Sequence, residues 1–179
     1  RNKAIGAGRR LAVGRTRGSA EVAAYFAGVV SWIQVNRPLL SAAVRHLRDS
    51  EHLSDVSNPA ASMDQAFHMA GFAPECLRKA ILATSWVFKP LGHAIGDDAD
   101  DIVELFAHLE PAVLRYELLG WESRFPELSR WRPEVRYEAT GPRTEQQTMA
   151  LVTEARSLTV DLLSALWADG RLGLEVLEW

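Results

Sequence analysis

The run from residue 60 to 85 constrains the fold most. Met63, Ala66, Phe67, Ala70, Leu77, Ala80, Ile81 and Thr84 recur at intervals that gather side chains on one side of an α-helix. Pro74 falls inside this pattern. It removes one backbone donor and crowds the carbonyl of Ala70, so a kink is predicted there. Gly71, one turn earlier, would ease the bend or admit a close neighbour.

Such a half-apolar helix needs partners, and the flanking segments read as helices too. Ser19 is a good N-cap for a helix to about Val35, with Ala23, Phe26, Ala27, Val30 and Ile33 or Gln34 as its stripe. Asn36 caps a second helix, with Pro38 tolerated in its first turn and an end near Asp55, before Ser57-Asn58-Pro59. Lys89-Pro90-Leu91-Gly92 forms a connection. A further helix is predicted from Asp98 to about Leu119, with Pro111 as a break. Residues 120–143 form a long, proline-containing loop, a length that often carries function. Thr144 with Gln147 then opens the last helix as a capping box, and Gly170 ends it. Leu172–Trp179 reads as a short strand or an ordered terminal segment. No run of strands is visible, so the expected class is all-α.

An apolar fraction of 47% over 179 residues suits one globular domain. No apolar run approaches the roughly 20 residues that span a bilayer, and the first 18 residues lack the apolar stretch of a secretory signal. Cytoplasmic residence without membrane contact is the expectation. Cys76 is the sole cysteine, which rules out an internal disulfide and a multi-cysteine metal site. No phosphate-cradling glycine loop or zinc spacing appears, and no cofactor is expected. Charge is unevenly spread. Residues 1–20 hold six basic side chains and no acid, while the other 14 basic residues are outnumbered by all 23 acids. Residues 1–18, punctuated by glycine, are expected to be an extended basic arm. The arm could hook nucleic acid or an acidic partner, lie on the acidic body, or dock a structural subunit on a larger assembly. The expected organisation is arm (1–18), helical bundle (19–170) and tail (171–179).

Four segments in order resemble the HEPN family, in particular a bacterial branch. Arg45-His46-Leu47-Arg48-Asp49-Ser50-Glu51-His52-Leu53 is similar to its Arg-His-x-x-Asp-Ala-Glu-x-Leu segment. Ala70-Gly71-Phe72-Ala73-Pro74-Glu75-Cys76-Leu77-Arg78-Lys79-Ala80 is similar to its Ala-Gly-x-Ala-x-Glu-Cys-x-x-Lys-Ala helix. Gly92-His93 before an acidic, leucine-rich helix resembles the His-Asp-Leu segment, with Ala94 where the acid usually stands. Trp131-Arg132-Pro133-Glu134-Val135-Arg136-Tyr137 resembles the Trp-x-x-x-x-Arg-Tyr segment. The third-helix segment is the most specific. The resemblance spans about residues 36–170. It implies a bundle of four or five helices, often a homodimer, in RNA-linked defence, toxin–antitoxin or stress systems, frequently partnered with a nucleotidyltransferase. It also implies RNA binding. Nuclease members carry Arg-x(4–6)-His in a late helix. No histidine follows His108 here, so the late motif is absent and catalysis stays open.

The candidate residues follow. Arg45, Arg48, Asp49 and His52 share one face of their helix at i, i+3, i+4 and i+7. Two arginines could hold a phosphate while His52 acts as general acid or base in metal-independent RNA cleavage, with Arg45 and His52 as the catalytic pair. The same pattern also describes a solvated face. His46 falls toward the buried side as a satisfied core residue. Glu75 and Lys79 stand four apart in the favourable order and with His93 could line a pocket, while the resemblance implies a structural or interface role for the pair. The acids from Asp97 to Asp101 suit a helix start better than a metal cage, and no metal is expected. Across 121–143, Trp121, Phe125, Trp131 and Tyr137 interleave with arginines, a mixture suited to single-stranded RNA. Glutamates nearly cancel that charge, so pinning of the loop onto the domain is the competing expectation. Arg132, Arg136 and Tyr137 join the binding candidates, the last two as anchors of the final helix.

Overall fold

The computed structural model describes residues 35–82, 92, 93, 95–108 and 111–173. The basic arm, the helix expected over 19–35, the Lys89–Leu91 connection and most of the expected tail lie outside the described residues. What is described is helical, with no strand. In chain order it comprises α1 (Arg37–Ser54), α2 (Met63–Ile81), α3 (Asp97–Ala107), a 3-10 segment (Pro111–Tyr116), the short α4 (Trp121–Arg124), two more 3-10 turns (Leu128–Arg130 and Pro133–Tyr137), and α5 (Glu145–Ala168).

Local chemistry sets the helix ends. Asn36 caps α1 by accepting from the Leu39 amide at 3.2 Å, with Pro38 in the first turn. Ser62 caps α2 through the Gln65 amide. Thr144 and Gln147 form the reciprocal capping box of α5, and Gly170 closes it at φ 68°. α2 runs without interruption through Pro74. α3 ends at Ala107 and a 3-10 turn begins at Pro111, where proline was expected to break the helix.

α2 is the central rod and packs against both α1 and α5. Ala66, Ala70, Ala73, Leu77 and Ala80 are fully buried along it, and Leu40 and Ala43 of α1 and Leu151, Ala155, Leu158, Leu162 and Leu166 of α5 complete the core. Small residues on α2 let its neighbours approach closely.

The 120–143 connection is a chain of short helical turns pinned to the bundle. Two tryptophans do this by lying on glycines. A β-carbon on Gly71 would fall 2.1 Å from the Trp131 ring, and one on Gly96 would fall 2.0 Å from Trp121. Any larger residue at either position would displace the indole. Phe125 and Leu128 are buried beside them. Glu154 of α5 accepts from the Glu127 and Leu128 amides, both at 2.9 Å, and Asp64 of α2 accepts from the Gly141 and Arg143 amides.

A second clamp sits at the opposite end of α2. Arg78 is 1% exposed and donates to the Tyr116 carbonyl. The Tyr116 hydroxyl donates to Asp169, and Arg171 lies over the Tyr116 ring while donating to the Ile81 carbonyl. Burial, aided by the Asp169 carboxylate, pushes the Tyr116 phenol up to about 12.

Candidate functional site: the polar seam between α1 and α2

Residues 68, 72, 75, 76 and 79 follow one another at helical spacing and give α2 a second, polar stripe, His68-Phe72-Glu75-Cys76-Lys79. α1 contributes Arg45 and His46 beside it, and the 131–137 segment contributes Trp131 and Arg136.

Glu75 organises one end. Its residue is 3% exposed, and a lone carboxylate so buried would cost several kcal/mol. It is compensated by Lys79 Nζ at 2.6 Å and by His93 Nδ1, 3.0 Å from each carboxylate oxygen. An ionised carboxylate only accepts, so Nδ1 carries the proton. The other ring nitrogen, Nε2, is left for other partners, and the His93 side chain is 54% exposed. The structure thus brings together Glu75, Lys79 and His93, which the sequence offers from two separate segments. Cys76 is half-buried, and burial pushes its thiol up, away from a reactive thiolate.

The other end is an aromatic nest. His68 meets Phe72 edge-on at 4.6 Å between ring centres, His46 lies 5.8 Å from Phe72, and Phe72 meets Trp131 edge-on at 5.2 Å. Three ring nitrogens here, His46 Nδ1, His68 Nδ1 and Trp131 Nε1, are buried without a hydrogen-bond partner among the described residues. His46, expected from sequence to be a satisfied core residue, thus leaves its Nδ1 without a partner among the described residues. Burial is the main reason that both imidazoles are held below their ordinary value of 6.5. His68 went unnoticed in the sequence, although its spacing to Phe72, Glu75 and Lys79 was the available signal.

The other candidates are placed as follows. Arg45, Arg48, Asp49 and His52 are all exposed on α1. With six residues between them, Arg45 and His52 stand about 10 Å apart along the helix axis, and the His52 Nε2 meets the Asn58 side-chain amide at 3.0 Å. Arg132 is exposed and donates to the Ser129 and Trp131 carbonyls. Tyr137 is 75% exposed with the Arg136 guanidinium 4.7 Å from its ring centre. The pinning expected of the loop aromatics is carried by Trp121, Phe125 and Trp131, whereas Arg136 and Tyr137 face outward instead of anchoring the final helix. Beyond them, Phe67, Arg130, Arg132, Glu134 and Arg143 border a cleft of about 340 Å³. Arg143 there stacks over Phe67 and pairs with Glu138.

Among the described residues, no three histidine, cysteine, aspartate or glutamate side chains converge as a metal site would require, and no helix is long and apolar enough to cross a membrane. No known family profile, curated protein or solved structure matches the chain.

Proposed function

We propose that this chain is a HEPN-like helical module that binds single-stranded RNA across the face formed by the seam and the 131–137 segment, without strong catalysis of its own. A prokaryotic defence or toxin–antitoxin setting, cytoplasmic residence, pairing with a second copy and partnership with a nucleotidyltransferase belong to the same proposal and rest on the sequence resemblance.

The observation that carries the RNA reading is Tyr137. Among the four aromatic residues singled out between 121 and 143, Trp121, Phe125 and Trp131 are buried, and Tyr137 stands 75% exposed under the Arg136 guanidinium. A ring left in water beside a cation is suited to base stacking and phosphate contact. Glu75 also holds the Lys79 ammonium in a fixed place, so the seam offers an ordered cation to an anionic backbone.

The test is fluorescence anisotropy with a labelled 20-nucleotide single-stranded RNA over a salt series. Binding that weakens with salt, and that falls roughly tenfold in Tyr137→Ala, supports the reading. Absence of binding at low salt, or equal affinity in the variant, removes it. Cleavage by Arg45 and His52 has less support, because the His52 ring is engaged by Asn58. Any RNA turnover that survives in His52→Ala would exclude it.

A further inference from the structure

The 131–137 segment is held unevenly. At its approach, Glu154 grips the Glu127 and Leu128 amides, and beyond it Asp64 grips the Gly141 and Arg143 amides. Between these carboxylate anchors, the Trp131 indole lies on Gly71 and against Phe72 and His68, and Pro133 and Val135 add apolar contact with the bundle. The indole N–H finds no acceptor among the described residues, so this contact is one of shape alone. Two histidines in the same nest have buried Nδ1 atoms without a partner among the described residues.

We infer that residues 131–137 form an acid-released strap, which lifts from α2 when His46 and His68 take up protons. At neutral pH both rings are uncharged and pack as aromatics. A proton on either ring creates a charge in the nest. The Arg136 charge of the strap and His46 of α1 both oppose a proton on His68, and Arg45 opposes one on His46. Within its own helix His46 has Arg45 and Asp49 as neighbours of opposite sign. The attractive group on α2 is Glu75, already shared by Lys79 and His93. Desolvation outweighs its pull at both histidines. The sign follows. Both groups are held below their unfolded value of 6.5, so the docking they support is complete above that pH and is lost as pH falls below it. The movable part is the stretch between the two anchors, and its lifting would bare Gly71 and Phe72.

The strap also carries Arg132, Arg136 and Tyr137, so release would dismantle the RNA face; that consequence rests on the function proposed above, and the strap itself does not.

Hydrogen–deuterium exchange on the full chain between pH 7.5 and pH 5.0, corrected for intrinsic exchange, tests the strap directly. The expected result is a loss of protection of about tenfold or more over 131–137 on acidification, while α5 keeps its protection. In the doubly substituted His46→Gln, His68→Gln protein the strap should remain protected at both pH values. Should that variant not fold, His68→Gln alone should reduce the pH dependence. Unchanged strap protection in the wild type at pH 5.0 would overturn the inference. So would loss of α5 protection at the same midpoint, or a pH profile that the histidine substitutions leave untouched. Because the readout needs no nucleic acid, RNA binding and the strap can fail separately.

Discussion

α2 shows two different surfaces along one helix. Its alanine-rich side is fully buried against mostly apolar neighbours, and the helices close on one another through small residues. Its seam side holds a buried carboxylate, two buried imidazole nitrogens and an indole resting on a glycine. The first surface is insensitive to pH and salt, because it consists of apolar contact. The second depends on pairing, protonation state and fit. The difference separates the part of the molecule that stabilises the fold from the part with chemistry available for another purpose.

The strongest way to break this division is at the tryptophan contact. Trp131→Ala should lower the unfolding free energy by about 3–5 kcal/mol, measured by urea denaturation. Gly71→Ala should also destabilise, by about 1–3 kcal/mol from overpacking. If either variant is as stable as the parent, the seam does not hold the strap.

Next comes Glu75. Glu75→Gln removes the charge that compensates Lys79 and turns one of the two oxygens facing His93 into an NH2 donor, and should cost about 1–3 kcal/mol. The carboxylate reading further requires that the His93 imidazole signals, followed by NMR, lose their fixed tautomer in Glu75→Leu, which has no acceptor at that position. An unaltered tautomer would mean that Glu75 does not orient the ring.

A smaller effect is expected from a purely local device. Thr144→Ala removes half of the α5 capping box and should cost about 1 kcal/mol, read from the same denaturation curves. Smallest of all should be Arg124→Ala. Its pair with Asp161 lies about half-exposed on both sides, so the change should stay below about 0.5 kcal/mol. A loss comparable to that of Glu75→Gln would show that surface pairs matter as much as the seam, and the contrast drawn above would fail.

How much could be read in advance differs by range along the chain. The caps at Asn36 and Thr144 and the break near Pro111 were legible, because each depends on a residue and its neighbours three or four positions away. The pair Glu75–Lys79 was legible for the same reason. The meeting of Glu75 with His93, 18 residues on, could be suspected only from family resemblance, and the one sign of His68's role was its helical spacing to Phe72 and Glu75. Sequence pattern also placed Tyr137 with the anchoring residues, whereas packing buried Trp131 instead and left Tyr137 in solvent.

By itself, the order of residues determined an all-helical chain, where α1 and α5 begin and end, and which side of α2 had to be buried. Hydrogen bonding within a turn and the periodicity of apolar side chains are short-range properties, and they act wherever the segment lies. Tertiary structure alone decided that Trp131 settles on Gly71, that Arg78 disappears beneath the Tyr116 carbonyl, and that Glu75 reaches both Lys79 and His93. Those outcomes depend on shape complementarity and charge compensation between distant stretches, which exist only once the helices have closed around α2.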